Sequence, residues 1–372
     1  MNHKKNLLFL LKLPPPKTGA TFMNQIINEN EAINKLYCIE KIDISYASSI
    51  NNLGRFQLKK IYIYIKVIFK LFKYLITKNI HIIYFQPSIN GVSYFRDVIL
   101  ILIGKLFGKK FILHLHGKGI SNYSKKSLLH RWLYNIGFKN QYLIVLSENQ
   151  IADVSFLNPK KIFVVNNGIP SLQSNSTSLP VKTKDPTRLR FLYLSNLLKS
   201  KGVLDLLDTA LELKKNTLDF CIDIVGSEGD INENELLKKI NALQLNDHVY
   251  YHGPKYDHDK IYFLKQADAF VFPTQNEAFG IVLLEAMQFE LAIIATDEGA
   301  IPEIIENGKS GYIYPKKVKH ELFNYMSHLI KHPNLCINLG KRGKEIYFEK
   351  FTINILEKNM ISVFNTCLKE QK

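Results

Sequence analysis

The chain has 372 residues, 46% of them hydrophobic and 12% aromatic, with 49 Lys+Arg against 33 Asp+Glu and a formal net charge of +16. The apolar fraction excludes a mainly disordered chain, and the length exceeds one ordinary core, so two domains of roughly 150–200 residues are expected. The longest apolar runs are broken by Lys66 and by Gly104-Lys105, short of the roughly 20 residues that a membrane-crossing helix needs.

The chain opens with His3-Lys4-Lys5 and the apolar run Asn6–Leu11. This resembles a signal peptide, but the run is short and Pro14-Pro15-Pro16 follows without a cleavage site, so it reads as a first strand. Short apolar runs at Asn6–Leu11, His81–Phe85, Lys110–His114, Tyr142–Leu146 and Ile162–Val165 have the character of buried parallel strands. Between them, Thr21–Asn30, Leu58–Thr77, Ser93–Phe107 and Lys125–Phe138 have helical length. Residues 171–187, rich in Ser, Thr and Pro, form the expected linker. The rhythm then repeats. Strands are expected at Leu189–Leu194, Asp219–Val225, Val249–His252, Ala269–Phe272 and Ala292–Thr296. Helices are expected at Val203–Lys214, Asn232–Asn241, His258–Gln266 and Gly280–Phe289. Alternation of this kind indicates two doubly wound α/β domains in tandem, with ligands at the carboxyl ends of the strands. The four cysteines, Cys38, Cys221, Cys336 and Cys367, lie far apart without a C-x-x-C, as reduced thiols of an intracellular protein would.

The charge is divided unevenly. Residues 1–180 carry 24 Lys+Arg and 7 Asp+Glu, a net of +17, whereas residues 181–372 carry 25 and 26, a net of −1. One half therefore faces a polyanion, with nucleic acid and an anionic membrane surface as the candidates. Lys59, Lys66, Lys70 and Lys73 fall on one face of the Leu58–Thr77 segment at helical spacing. That face is either the solvated side of a core helix or a basic amphipathic surface resting on anionic lipid, with Phe69, Phe72 and Tyr74 at headgroup depth and Lys105, Lys109, Lys110, Lys125 and Lys126 extending it.

The stretch Pro273-Thr-Gln-Asn-Glu277-Ala-Phe-Gly280-Ile-Val-Leu-Leu-Glu285-Ala286 follows an apolar strand and opens a helix. Backbone N–H groups at Phe279 and Gly280 suit a phosphate there, and an acid inside the helix suits ribose hydroxyls. A carboxylate beside a diphosphate is repelled unless it holds sugar hydroxyls, so Glu277 reads as a sugar ligand. Asn196-Leu-Leu-Lys199-Ser-Lys201-Gly202 also joins a strand to a helix, and Lys201 there meets a diphosphate as a point charge. Each stretch alone is equally compatible with an ordinary helix start or an exposed basic loop. His248, His252 and His258 read as a strand and its following turn rather than as metal ligands.

The order of these motifs, with Val225-Gly226, His252-Gly253, Ala267-Asp268, Thr296–Glu303 and Gly308–Gly311, resembles the family-4 glycosyltransferases of GT-B architecture over roughly residues 189–315. In the first half, Leu13–Ala20 is similar to the family's glycine loop and His114-Leu115-His116-Gly117 to its histidine segment. The resemblance implies two Rossmann-like domains facing a cleft: an acceptor-binding domain at 1–180, a nucleotide-sugar domain at 181–350, and a C-terminal helix at 351–372 crossing back. It implies retaining transfer from a nucleotide-diphosphate sugar without a metal. His116, Lys201 and Glu277 would be catalytic, and Gly19, Asn196, Phe279, Gly280 and Glu285 would bind the donor. Many relatives have Gly-Arg at Ser195-Asn196, so a second cation for the diphosphate is missing there, with Lys199 or Arg190 as replacements.

With the basic first half, this reading expects a peripheral enzyme on the cytoplasmic face of the membrane. It would build a surface polysaccharide such as O-antigen or capsule on a polyprenyl-linked saccharide, holding Lys59, Lys66, Lys70 and Lys73 against anionic lipid. The rivals are a nucleic-acid-binding protein, for which no recognition motif is present, and an enzyme of the same architecture acting on a small soluble acceptor.

Overall fold

A computed structural model describes residues 4–46, 58–172 and 188–370, with the side chains of residues 58 and 59 not described. The expected linker therefore lies outside the described residues beyond Leu172. The chain divides into two compact units, Met1–Asn167 with Ile353–Lys372, and Gly168–Thr352.

The first unit contains β1 (Asn6–Leu11), α1 (Gly19–Glu29), α2 (Glu31–Leu36), β2 (Cys38–Asp43), α3 (Leu58–Thr77), β3 (Ile82–Phe85), α4 (Gly91–Leu106), β4 (Lys110–His114), α5 (Ile120–Ser124), α6 (Leu128–Phe138), β5 (Tyr142–Val145), α7 (Ile151–Val154) and β6 (Lys161–Val164). Its sheet is entirely parallel in the order β2-β1-β3-β4-β5-β6. The chain runs outward from β1 to β2, then crosses to β3 and proceeds the other way, so right-handed crossovers put helices on both faces. On one face Leu8, Leu10, Ile83, Phe85, Phe111 and Leu113 pack against Val67, Leu71 and Leu75 of α3 and against α4. The alternate residues point to the other face, where Phe9 and Tyr84 meet Phe364 at ring distances of 5.8 and 5.7 Å.

Phe364 sits in the last helix of this unit, Ile353–Lys369, which returns after the second unit. Tyr37 Oη donates to Asn365 at 2.8 Å, and Asn30 donates to Glu357 at 2.8 Å. Met360, Phe364 and Cys367 are fully buried there, so the helix completes the core rather than decorating it.

The second unit contains β7 (Leu189–Leu194), α8 (Val203–Lys215), β8 (Phe220–Val225), α9 (Glu233–Ala242), β9 (Val249–Tyr251), α10 (Asp257–Gln266), β10 (Ala269–Phe272), α11 (Ile281–Gln288), β11 (Ala292–Thr296), α12 (Ile301–Ile304), β12 (Gly311–Tyr314), α13 (His320–Lys331) and α14 (Asn334–Lys350); the Ile353–Lys369 helix of the first unit is α15. Its parallel sheet has the order β12-β11-β10-β7-β8-β9, the doubly wound pattern with the order reversing beside β7. α14 packs on α11 and β11, and Gly340 there is forced: a Cβ would stand 1.9 Å from the Glu290 carbonyl oxygen.

Candidate active site

The loops after β7, β10 and β11 are locked together at the carboxyl end of the second sheet. A 3-10 turn at Lys199–Lys201 ends on Gly202, whose φ of +78° and whose approach to Pro273 admit no side chain; a Cβ would lie 2.0 Å from the Pro273 carbonyl oxygen. Gln275 N donates to the Ser200 carbonyl at 2.8 Å, and Thr296 Oγ1 donates to the Thr274 carbonyl at 2.6 Å. At Gly299, φ is +58° and a Cβ would stand 2.3 Å from the Glu277 carbonyl oxygen. Three loops that are far apart in sequence thus fix one short segment, 274–280.

That clamp brings Lys201 to Glu277. Lys201 Nζ lies 2.8 Å from Glu277 Oε2 and donates to the Asn276 carbonyl at 3.0 Å. Both side chains keep about a fifth of their surface exposed, 19% and 20%, so the pair is reachable. Gly280, at φ +94°, caps α11 and its carbonyl takes the Leu283 amide at 3.0 Å, so the amides ahead of Leu283 are the ones the helix geometry leaves for a ligand. Five residues into α11, Glu285 is buried and its Oε1 lies 2.7 Å from Lys260 Nζ on α10. A lysine, two carboxylates and a helix N-terminus can together bind a ligand that carries both phosphate and hydroxyls.

Two expectations need correction. The Phe279 amide is not open to a phosphate: it donates to Glu277 Oε1 at 3.3 Å, as Ala278 N does at 2.9 Å, while the Phe279 ring is buried edge-on to Phe351. Glu277 folds back on its own turn because a carboxylate among adjacent N–H groups gains charge-assisted hydrogen bonds. Arg190 cannot replace the missing cation either. It lies near the amino end of β7 and donates to the buried Asp223 at 2.7 Å. Burial pushes the Asp223 carboxyl up, but the His252 and Arg190 hydrogen bonds outweigh burial and hold it below its usual range. Lys199 stands at the right end of the strand, with its amide bonded to Asp230. Asn196 lies in the β7 exit, its carbonyl taking the Leu198 amide at 2.7 Å.

Sequence reasoning missed Lys260, which reads as a surface lysine of an unremarkable helix until folding sets it on Glu285, 25 residues later. It also missed the bond between Lys316 and Glu298 at 2.6 Å and the role of Asp205, which accepts from Gln275 at 3.2 Å and pairs with Lys319 at 2.5 Å. These brace the rim of the same loop cluster.

Gly19 and His116 belong to the first unit. Gly19 is the exposed first residue of α1, behind a Thr18–Thr21 capping box. His116 lies two residues past β4, its ring 4.1 Å from that of His114. His114 bonds Tyr84 Oη at 2.7 Å, and the Nε2 atoms of both histidines are buried without partners. Burial lowers the His116 pKa to about 3, and burial followed by the neighbouring His116 lowers that of His114, so both rings are neutral at ordinary pH. In the same unit, Lys12, just past β1, and Arg96 both grip the fully buried Asp97, at 2.7 and 2.9 Å.

On α3, Lys66, Lys70 and Lys73 are exposed, as expected of that face; the side chain of Lys59 lies outside those described. Phe69 is 71% exposed. Phe72 and Tyr74 are instead partly buried, Phe72 edge-on to Phe107 at 5.7 Å. Further large apolar side chains are exposed where sequence reading did not look: Val92 and Leu106 of α4 and Leu128 and Trp132 of α6. Among the described residues no helix is long and apolar enough to cross a membrane, and no group of three or more His, Cys, Asp or Glu is arranged to hold a metal.

Residues 175–346 match the family model described as glycosyl transferases group 1. A capsular polysaccharide biosynthesis glycosyltransferase, CapM, of Staphylococcus aureus is 28% identical over 183 residues, 48% of this chain and 47% of that protein. The chain thus spans about half the length of that relative. An uncharacterized glycosyltransferase of Methanocaldococcus jannaschii is 26% identical over 290 residues, 73% of each chain. Among solved structures, a sucrose-phosphate synthase from Thermosynechococcus elongatus superposes with a TM-score of 0.75 at 14% identity, covering 99% of this chain and 100% of that one. The last similarity establishes the two-domain α/β fold.

Proposed function

From the match of residues 175–346 to the group 1 glycosyl transferases, we propose that this chain is a retaining glycosyltransferase that takes a sugar from a nucleotide-diphosphate donor. The observation that carries the reading is the clamped Lys201–Glu277 pair beside the capped end of α11. Lys201 balances the leaving diphosphate, Gly280 and the first amides of α11 receive phosphate oxygens, and Glu285 binds ribose. Asn196 and Gly19 lie along the donor. Glu277 and His116 hold donor sugar hydroxyls, Glu277 through the carboxylate that its own turn now occupies. The bond from the anomeric carbon to the diphosphate oxygen breaks, an acceptor hydroxyl forms the new bond on the same face, and its proton passes to the departing phosphate. No metal has a role in this scheme.

The acceptor proposed is a polyprenyl-linked saccharide at the cytoplasmic leaflet, in surface polysaccharide synthesis such as O-antigen or capsule. The capsular relative supports the pathway class. The exposed lysines of α3, with Phe69 exposed on the same helix and Leu106 and Trp132 exposed elsewhere on the first unit, support an anionic membrane as the partner that holds that unit. No nucleic acid is a partner in this reading.

A thermal-shift screen of UDP, GDP and their sugars tests the donor assignment. The true donor raises the melting temperature by mass action, by several degrees at a hundredfold excess over Kd. No shift with any member of the panel would defeat the reading.

A further inference from the structure

In the first unit α4 and α6 pack side by side, with Tyr94 stacked on Tyr134 at 4.2 Å and its Oη donating to the Leu133 carbonyl at 3.0 Å. At the carboxyl ends of the two helices a groove opens between them. It encloses about 640 Å³, within the roughly 300–1,000 Å³ of small-molecule sites. Its wall is mostly apolar, with Leu102 and Leu106 from α4 and Ile136 from α6, and Lys105, Lys110 and Lys139 line it as well. The face of α4 turned to the core is also apolar, through Tyr94, Val98, Ile101 and Gly104, yet Leu106 is 83% exposed. A helix that is apolar on both faces is usually covered on both. The groove lies at the amino ends of the strands, since Lys110 opens β4 and Gln141 immediately precedes β5. His114 closes β4 at its other end, roughly 13 Å away at about 3.3 Å per residue.

The charges of the groove have no counterion within the chain. Residues 98–147 carry eight Lys+Arg and no Asp or Glu. Lys105 Nζ donates to the Ile136 carbonyl and, at 3.3 Å, to that of Lys139, and Lys110 Nζ donates to the Asn140 carbonyl at 3.2 Å. These carbonyls end α6, where cations are favoured, so the helix end accounts for two of the three lysines and leaves Lys139 surplus. Burial first, and then the Lys110 and Lys139 ammoniums, push the Lys105 pKa below its ordinary value, as gathered like charges do. An anion among them relieves the repulsion, and a hydrocarbon chain covers Leu102, Leu106 and Ile136. An inorganic anion would leave the apolar wall wet, a neutral chain would leave the charges unmatched, and a second copy of this face would add three more lysines. We propose that the groove binds one phosphate-headed lipid, its head among Lys105, Lys110 and Lys139 and its chain along Leu102, Leu106 and Ile136. The inference does not depend on the glycosyl-transfer reading, because the groove lies at the end of the sheet away from His114 and His116. It also goes beyond a general membrane partner, since it assigns a single bound lipid to residues outside α3.

Trp132 is the single tryptophan of the chain, 57% exposed and four residues before Ile136 on α6, hence on the same helix face. Its fluorescence therefore reports on the groove. The probe is dodecyl phosphate below its micelle concentration, titrated into the full chain by calorimetry with Trp132 emission followed in parallel. Inorganic phosphate and dodecyl maltoside are the controls for head and chain. Dodecyl phosphate is expected to bind at a single site and shift the emission to the blue, with both controls weaker by about tenfold or more. Lys139→Glu and Leu106→Gln, each at an exposed position, should melt as wild type does and weaken the probe about tenfold. Lys66→Glu with Lys70→Glu and Lys73→Glu on α3 should leave its affinity within about twofold. No binding by wild type overturns the inference. So does inorganic phosphate or dodecyl maltoside binding as tightly as the probe, which would mean an anion site or an apolar surface only. Unaltered affinity in both groove variants overturns it too, as does an equal loss in the α3 variant, which would put the binding on the general basic surface. If Lys139→Glu does not fold, Leu106→Gln decides alone: weakened binding supports the site and unaltered binding overturns it.

Discussion

Lys201 is engaged within its own loop cluster, by Glu277 Oε2 at 2.8 Å and the Asn276 carbonyl at 3.0 Å. An incoming diphosphate therefore displaces or shares an existing contact, and the lysine is held in place before the ligand arrives. Lys201→Ala removes the proposed counter-charge to the leaving group from a side chain that is about a fifth exposed. We expect kcat to fall by about 10²–10³ with a melting temperature close to wild type; near wild-type turnover in a folded variant would remove Lys201 from the mechanism. The histidine pair makes a separate prediction about pH. Both have pKa values lowered by burial, His116 to about 3, against an ordinary value of about 6.5. The unfolded chain takes up these protons first as pH falls, so stability is full above about 6.5 and declines below it toward the folded pKa, by about 1.4 kcal/mol per pH unit for each ring. Urea midpoints at pH 7.5 and 5.5 check this, and His116→Gln should flatten the difference. At this scale the sequence revealed Lys201, Glu277 and Glu285, because each lies at a strand exit or helix start whose loop chemistry is local. It could not reveal Lys260, whose meaning depends on a partner on another helix. Nor could it reveal Lys139, whose place beside Lys105 and Lys110 exists only in the folded chain.

Strands buried on both faces were legible in the sequence, and so were the edge strands β6 and β9. β1, β3, β4 and β5 consist of apolar runs that leave no polar alternation to misread. β2 went unseen because Cys38–Asp43 carries Glu40, Lys41 and Asp43 and forms an edge of its sheet; charges there discourage further pairing. β12, also an edge, was missed because Gly311–Tyr314 opens on a glycine and leaves Tyr312 and Ile313 only half-buried, so no apolar run marks it. α3 was legible through its lysine spacing, yet the exposed apolar side chains on α4 and α6 were not, since only folding shows which face of each helix is left uncovered. We expect the chain to bind vesicles containing anionic lipid and to release them with salt. Lys66→Glu with Lys70→Glu and Lys73→Glu should cut binding at least tenfold, at about 1 kcal/mol per lysine, without altering nucleotide binding. Equal sedimentation with neutral and anionic vesicles would count against the membrane partner.

Across the whole molecule the charge follows the units more sharply than it follows the halves of the sequence. The first unit holds 27 Lys+Arg and 9 Asp+Glu, a net of +18, and the second 22 and 24, a net of −2. The second unit thus needs no surplus charge for its phosphate site, which uses Lys201 and the end of α11. The first unit also depends on α15, since Phe364 is fully buried against Phe9, Tyr37 and Tyr84. Each such aromatic contributes roughly 1.5–3 kcal/mol by burial. A chain ending at Thr352 should keep a cooperatively folded second unit and lose the first, read as protease resistance of fragments that map to 168–352 only.

Because α15 belongs with a sheet begun at Asn6, the second unit is an insertion of about 185 residues into the first. On the ribosome, at about 5–20 residues per second, the sheet that carries Phe9 and Tyr84 waits on the order of ten seconds or more for its closing helix. The inserted unit, with all its strands already emerged, can fold meanwhile. The order of assembly is therefore the reverse of the order of synthesis: the part translated first is finished last, with one apolar face open to chaperones in the interval.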